Sequence, residues 1–346
     1  MIEIKLVPGS ARMLKMTDAE YFSNRYRDYV SNSKLSLINP DEGGDFRKFE
    51  LGIENKYSDS FELGSLVHGL LLQPDEYEIA TINKPSAKLG VFAEEVFKLR
   101  QDKNCKLQDA LLIASENADY FALKLTKTRQ KTAIKGCLPF YLARMHYQLH
   151  PTKTTIFASK ANLEKSSECL KSLRKKEILE ILKPEDQFNF IEIFNEYAIL
   201  ADLECIDKET GVVEIIKIKA KLDNVVVNYL DNEVILNDLK TTGKPIDYFM
   251  GNYVKVTKES GEESIEFYEG SFTKYHYYRQ MAFYLWLLKE VFFEKPNMKF
   301  KVNMVVVETF GEYKSKVFPI KGKDLSQGIK EFVNLLKLVA EWKLQK

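Results

Sequence analysis

After Pro184 the chain turns strongly β. The segments FNFIEIFNEYAILADLECI, VVEIIKIKAKLDNVVVNYL and EVILNDLKTT are each rich in β-branched or aromatic residues, and helical patterns lie on both sides of them. Between the second and third, Leu230-Asp231-Asn232-Glu233 is a short polar joint, which predicts an antiparallel hairpin. Strands of this kind need other layers to cover their apolar faces. The helix TKYHYYRQMAFYLWLLKEVFF follows, then two strand-like runs, KFKVNMVVVETF and EYKSKVFPI, and an amphipathic helix through Trp342. The expected fold is therefore α/β, a central mixed β-sheet flanked by helices.

The hairpin concentrates charge at one end of that sheet. In VILNDLKTT, Asp238 and Lys240 are alternate residues and project from one face while Leu239 points the other way. Asp223 lies towards the end of the partner strand, in KAKLDNV, so the hairpin can gather two carboxylates and one ammonium. Carboxylate oxygens suit Mg²⁺ or Mn²⁺, and such an ion can polarise a phosphoryl oxygen and lower the pKa of water. Lys240 would then hold the attacking hydroxide or steady the charge developing on phosphorus. A salt bridge at a strand end is the other reading, and from spacing alone it is the commoner outcome.

Upstream, MTDAEYFSNRYRDYV begins with the Thr17 and Glu20 capping-box spacing and predicts a helix, which SNSKLSLINPDEGGD breaks. In FELGSLVHGLLLQPDEY, Leu63, Leu66, Val67, Leu70 and Leu71 recur at helical spacing, with His68 among them. Residues 85–183 read as mostly helical. The expected organisation is an N-terminal helical segment, 1–60, packed on a domain spanning 61–346 that carries a basic helical insertion at about 85–183.

The 51 basic and 50 acidic residues leave a net charge of +1, so attraction to nucleic acid must come from local clustering. From Tyr120 to Leu163 there are eight Lys or Arg residues and no Asp or Glu. Solvated helix faces are one reading; a phosphate-tracking surface through Lys127, Arg129 and Lys131 is the other. Lys219 and Lys221, in the strand before Asp223, carry the same two readings. The cysteines, at 105, 137, 169 and 205, show no metal or disulfide spacing and read as reduced thiols. No apolar run is long enough to span a bilayer, and MIEIKLVPGSARMLK lacks a signal-peptide pattern, so a cytoplasmic protein without membrane contact is expected.

Asp223, a spacer of fourteen residues, and Asp238-Leu239-Lys240 resemble the signature of the PD-(D/E)xK nucleases. LGSLVHGLLLQPDEY resembles the upstream helix of the RecB-like and RecE-like exonucleases, whose metal-assisting histidine corresponds to His68. YYRQMAFY resembles the Gln-x-x-x-Tyr helix of the same group, matching Gln280 and Tyr284, and VSNSKLSLINP resembles the Ser-rich motif of exodeoxyribonuclease VIII and its phage-borne relatives. The resemblance implies a restriction-endonuclease-like αβββαβ core. It implies Asp223, Asp238, Lys240 and Gln280 as catalytic residues, and His68, Asp223, Asp238 and the Leu239 backbone carbonyl as ligands of Mg²⁺ or Mn²⁺. Glu196 matches an acidic residue on the family's first strand, and Tyr284 reads equally as core packing. The implied activity is exonucleolytic hydrolysis of linear double-stranded DNA ends in recombination or phage DNA processing. The implied partners are duplex ends and a single-strand annealing recombinase, and a ring-shaped homo-oligomer is an assembly the resemblance brings with it.

Two relatives of this reading make different demands. An iron-sulfur nuclease of the same fold needs a cysteine cluster after the Gln280 helix, and no cysteine follows Cys205. A catalytically inactive or endonucleolytic DNA-binding protein would keep the fold with altered chemistry, and the intact Asp223, Asp238, Lys240 set speaks against an inactive one.

Overall fold

The structure, a computed structural model, describes residues 2–51, 59–80, 82–85, 87–101, 105–120, 127–149, 153–186, 189–257 and 263–345. It divides into two compact units, one formed by 1–55 with 172–346 and the other by 56–171.

The chain opens in strands, a correction to the expected N-terminal helical segment. Strand β1 (Ile2–Leu6) and strand β2 (Arg12–Lys15) both pair antiparallel with a later strand, β1 running from Ile2 opposite Asp207 to Leu6 opposite Leu203. Apolar Ile2, Ile4 and Leu6 alternate with Glu3 and Lys5, the period of a half-buried strand. The Thr17 cap forms, its hydroxyl accepting the Glu20 N–H at 3.2 Å, but helix α1 (Asp18–Tyr21) lasts one turn and a 3₁₀ turn from Asn24 follows. Within the Ser-rich segment, Ser31 caps α2 (Asn32–Ser36). A further short helix, α3 (Phe46–Leu51), ends this part of the unit.

The unit 56–171 is largely helical. It contains α4 (Asp59–Leu72), α5 (Ala87–Leu99), α6 (Leu107–Asn117), α7 (Lys127–Leu149) and most of α8 (Lys160–Leu173). A short parallel pair, β3 (Tyr77–Ile79) with β4 (Thr154–Ile156), joins its distant parts. Phe92, Ala93, Val96, Ala114, Phe140 and Phe157 share one buried core. Beside α4, Lys84 and Glu62 form a buried ion pair at 2.9 Å. The other Glu62 oxygen accepts from the Ser159 N–H and the Asn162 amide at 3.1 and 2.9 Å, so the buried charges are compensated.

The first unit is built on a seven-stranded sheet in the order β1-β5-β6-β7-β10-β11, with β2 also on β5. Here β5 is Ile191–Asp207, β6 Val213–Asn228, β7 Glu233–Thr242, β10 Lys299–Glu308 and β11 Ser315–Pro319. The expected hairpin forms, β6 and β7 pairing antiparallel from Asn228 opposite Glu233 to Asn224 opposite Asn237. Helix α9 (Lys176–Leu182) precedes β5. Between β7 and β10 come a two-stranded ribbon, β8 (Asn252–Thr257) with β9 (Glu263–Tyr268), the turn-length α10 (Ser271–Lys274) and α11 (Tyr277–Val291). β10 lies parallel to β7, which requires a crossover, and α11 lies in it.

Helices α11 and α12 (Gly322–Leu344) bring Phe283, Leu287, Leu288, Phe332, Leu336 and Val339 into one core with Ile216, Leu236, Met304 and Val306 of the sheet. A Cβ on Gly328 would lie 2.3 Å from the Tyr278 carbonyl oxygen, so only glycine permits this approach of α12 to α11. An asparagine ladder fixes the strand register. Asn237 donates to Asn224 at 2.7 Å and Asn303 donates to Asn237 at 3.0 Å, while Asn224 and Asn237 also donate to the Leu182 and Ile181 carbonyls at the end of α9.

Candidate functional site

The asparagine ladder decides where the acids go. Asn224 and Asn237 face each other, so their neighbours Asp223 and Asp238 are the next residues along and project to the opposite face. Regular β6–β7 pairing ends at that point. The Asp223 carboxylate takes the Leu239 backbone N–H at 2.7 Å, so a side chain accepts the donor that the ladder no longer serves. Of Leu239, the structure thus ties the N–H to the site and buries the side chain.

Asp238 is 1 % exposed. Its Oδ1 accepts from Gln280 Nε2 at 2.9 Å, and its Oδ2 lies 2.5 Å from Lys240 Nζ. The ammonium approaches off the line a hydrogen bond needs, which leaves Oδ2 in the interior with an ion-pair contact and no well-formed hydrogen bond. Burial disfavours the Lys240 ammonium, but the carboxylates of Asp238 and Asp223 outweigh it and hold its pKa above that of an ordinary lysine. Gln280 Nε2 also meets the Tyr284 hydroxyl at 3.2 Å, and burial, with Tyr21 and the two carboxylates adding to it, pushes that phenol well up, so it stays protonated. Tyr284 packs against the core as well.

Glu196 faces Asp223 across β5 and β6, at the one place where their otherwise continuous register lacks a regular pair. Its φ is 57°, left-handed for a residue with a side chain, at a cost of about 1–3 kcal/mol. The bend brings a carboxylate oxygen of Glu196 within 4.8 Å of one of Asp223. Glu196 also pairs with Lys221 at 2.8 Å, and Asp18 approaches the same ammonium. Burial opposes the Lys221 charge, and the two acids prevail and raise its pKa. Lys219 is buried and donates to the Tyr21 carbonyl at 2.8 Å.

Sequence reasoning passed over Arg279, the residue beside Gln280. It is 1 % exposed and donates to Asn32 at 3.2 Å, Ser36 at 2.5 Å, Glu42 at 3.1 Å and Glu331 at 2.6 Å. Asn32 and Ser36 belong to the Ser-rich segment, so that motif forms a polar cradle that fixes the start of α11 and thereby Gln280. His276 joins the cluster, its Nδ1 2.8 Å from Glu331. The guanidinium sits between Glu42 and Glu331, so a cation already pairs with both carboxylates of this cluster. The available signal was an arginine beside Gln280 at the start of a helix whose next eight residues, Met281 to Leu288, carry no charge.

In the unit 56–171, His68 lies half-buried on α4, and Lys127 and Lys131 are exposed on α7; the side chain of Arg129 lies outside the described residues. Among the described residues no helix is long and apolar enough to cross a membrane.

No family model matches the chain, and no curated protein matches it. Among solved structures it is similar to a "Putative exonuclease" from Eubacterium rectale, with 12% identity and a TM-score of 0.45 over 94% of this chain and 86% of that one.

Proposed function

We propose that the chain is a metal-dependent deoxyribonuclease that hydrolyses phosphodiesters at the ends of linear double-stranded DNA. The observation that supports this most is the meeting of Asp223, Asp238 and Lys240 where β6 and β7 part, with Asp238 buried and steadied by Gln280. Burying a carboxylate is expensive, and a surface ion pair would not need to be placed there. The donors fit a hard divalent cation, since one Asp238 oxygen lacks a well-formed hydrogen bond and Asp223 and Glu196 already converge. Mg²⁺ or Mn²⁺ held by Asp223, Asp238 and Glu196 would polarise a phosphoryl oxygen and lower the pKa of water.

The chain's own groups supply the rest. Lys240 places a positive charge where the phosphoryl oxygens gain negative charge. Gln280 holds Asp238 by one oxygen and so fixes the direction of the other, while the Tyr284 hydroxyl steadies the Gln280 amide. The preference for duplex ends, and delivery of the remaining strand to an annealing protein, rest on the resemblance to the RecE-like exonucleases.

The test compares end-labelled linear duplex with covalently closed circles. Linear DNA should be degraded with Mg²⁺ or Mn²⁺ and spared with EDTA, and Ca²⁺ should bind without supporting turnover. Undiminished degradation after thorough chelation would remove the metal mechanism. Equal cutting of closed circles would make the enzyme an endonuclease with the same catalytic residues.

A further inference from the structure

A line of rings and lysines leads outward from the catalytic lysine. Lys240 Nζ lies 5.3 Å from the centre of the Tyr277 ring, which is stacked at 6.0 Å on buried Phe249. Tyr277 in turn meets Tyr275 at 5.8 Å, with the rings tilted at 47°. Tyr275 is 52 % exposed, and Lys274 Nζ stands 5.8 Å from its ring. Lys244 lies 4.8 Å from the centre of the Tyr268 ring and donates to its hydroxyl. The intervening His276 has a φ of 50°, a left-handed turn that presents Tyr275 outward and Tyr277 inward.

A single exposed tyrosine is ordinary. This one ends a continuous path to Lys240 and has the Lys274 ammonium against its ring, the combination of π-face and positive charge that holds unpaired nucleotides without regard to sequence. A protein partner would call for a contiguous apolar patch, whereas here the exposed ring has a lysine ammonium against it. We propose that Tyr275 stacks on an unpaired base of the strand entering the site, and that Lys274 binds the phosphate beside it. The inference rests on the nuclease reading and adds to it a device that grips a frayed or single-stranded terminus, so the duplex end is opened before the strand reaches Asp238 and Lys240.

The test uses Tyr275→Ala, Tyr275→Phe and Tyr275→Trp in the full chain, with DNA carrying 2-aminopurine near its end, in Ca²⁺ to prevent turnover. The wild type, Phe and Trp proteins should quench the probe on binding, and the Ala protein should not. In Mg²⁺ the Ala variant should raise KM for linear duplex by between about fivefold and a hundredfold, with a smaller effect on kcat. Lys274→Ala should lower the slope of log affinity against log salt by about 0.7–0.9, the loss of one phosphate contact. If wild-type protein digests DNA while Tyr275→Ala quenches and cleaves as it does, or if Phe fails as Ala does, the stacking inference falls alone. If the wild type digests no DNA, the nuclease reading falls and takes this inference with it.

Discussion

At the scale of single residues, Asp238 and Lys240 should fail in different ways when replaced. Asp238→Asn keeps an oxygen for Gln280 but removes the charge, so cleavage should be lost. Its closest charged neighbour is the Lys240 ammonium at 2.5 Å, so the melting temperature should fall slightly as the ion pair disappears. Lys240→Ala removes no ligand, so Mn²⁺ should still bind in a calorimetric titration while turnover drops by about 10²–10³. Both variants digesting duplex at the wild-type rate would reduce the pair to a structural salt bridge. The alternation of Asp238, Leu239 and Lys240 is visible in sequence because strand period fixes faces. The left-handed bend at Glu196 was not, because nothing local in IFNEYAI demands it. Nor could sequence show that Lys219 and Lys221 are engaged, since their partners Tyr21, Asp18 and Glu196 lie in other elements.

At the scale of elements, α11 is positioned from its first turn. Arg279→Met would leave Glu42 and Glu331 without their shared cation. It should cost about 3–5 kcal/mol, read as a lower denaturant midpoint, because one member of a buried charge network has been removed. The same variant should lower kcat through Gln280 even at temperatures where it remains folded; unchanged stability and turnover would show that the Ser-rich cradle has no positioning role. The hairpin and the crossover helix were legible because turn residues and apolar periods are local signals. Strands β1 and β2 were not recognised, although Ile2, Ile4 and Leu6 alternate, because an edge strand this short declares itself only through its partner near Asp207. The Ser-rich segment likewise revealed its role only once Arg279 lay against it.

At the scale of the whole molecule, charge and thiol chemistry give two measurements. Replacing Lys127, Arg129 and Lys131 together by Glu should weaken DNA binding and flatten its salt dependence without changing the melting curve, since Lys127 and Lys131 are exposed. An unchanged salt slope would return that stretch to solvated helix face. Burial raises the thiols of Cys137 and Cys169 to about 11 and of Cys205 to about 12, so at pH 8 these should resist a thiol reagent. Half-buried Cys105 should react first, and all four should react in denaturant. Rapid modification of three or more in the native protein would contradict the packing. The division of the chain also bears on how the protein is made. Unit 56–171 lies wholly within the span that the sheet's partners bracket, for Ile2 must wait for Asp207, and β7 must wait for β10. On the ribosome the helical unit can therefore collapse early, while the sheet closes only after residue 319 has emerged. A growing chain would carry Asp223 and Asp238 well before the sheet that orients them had closed.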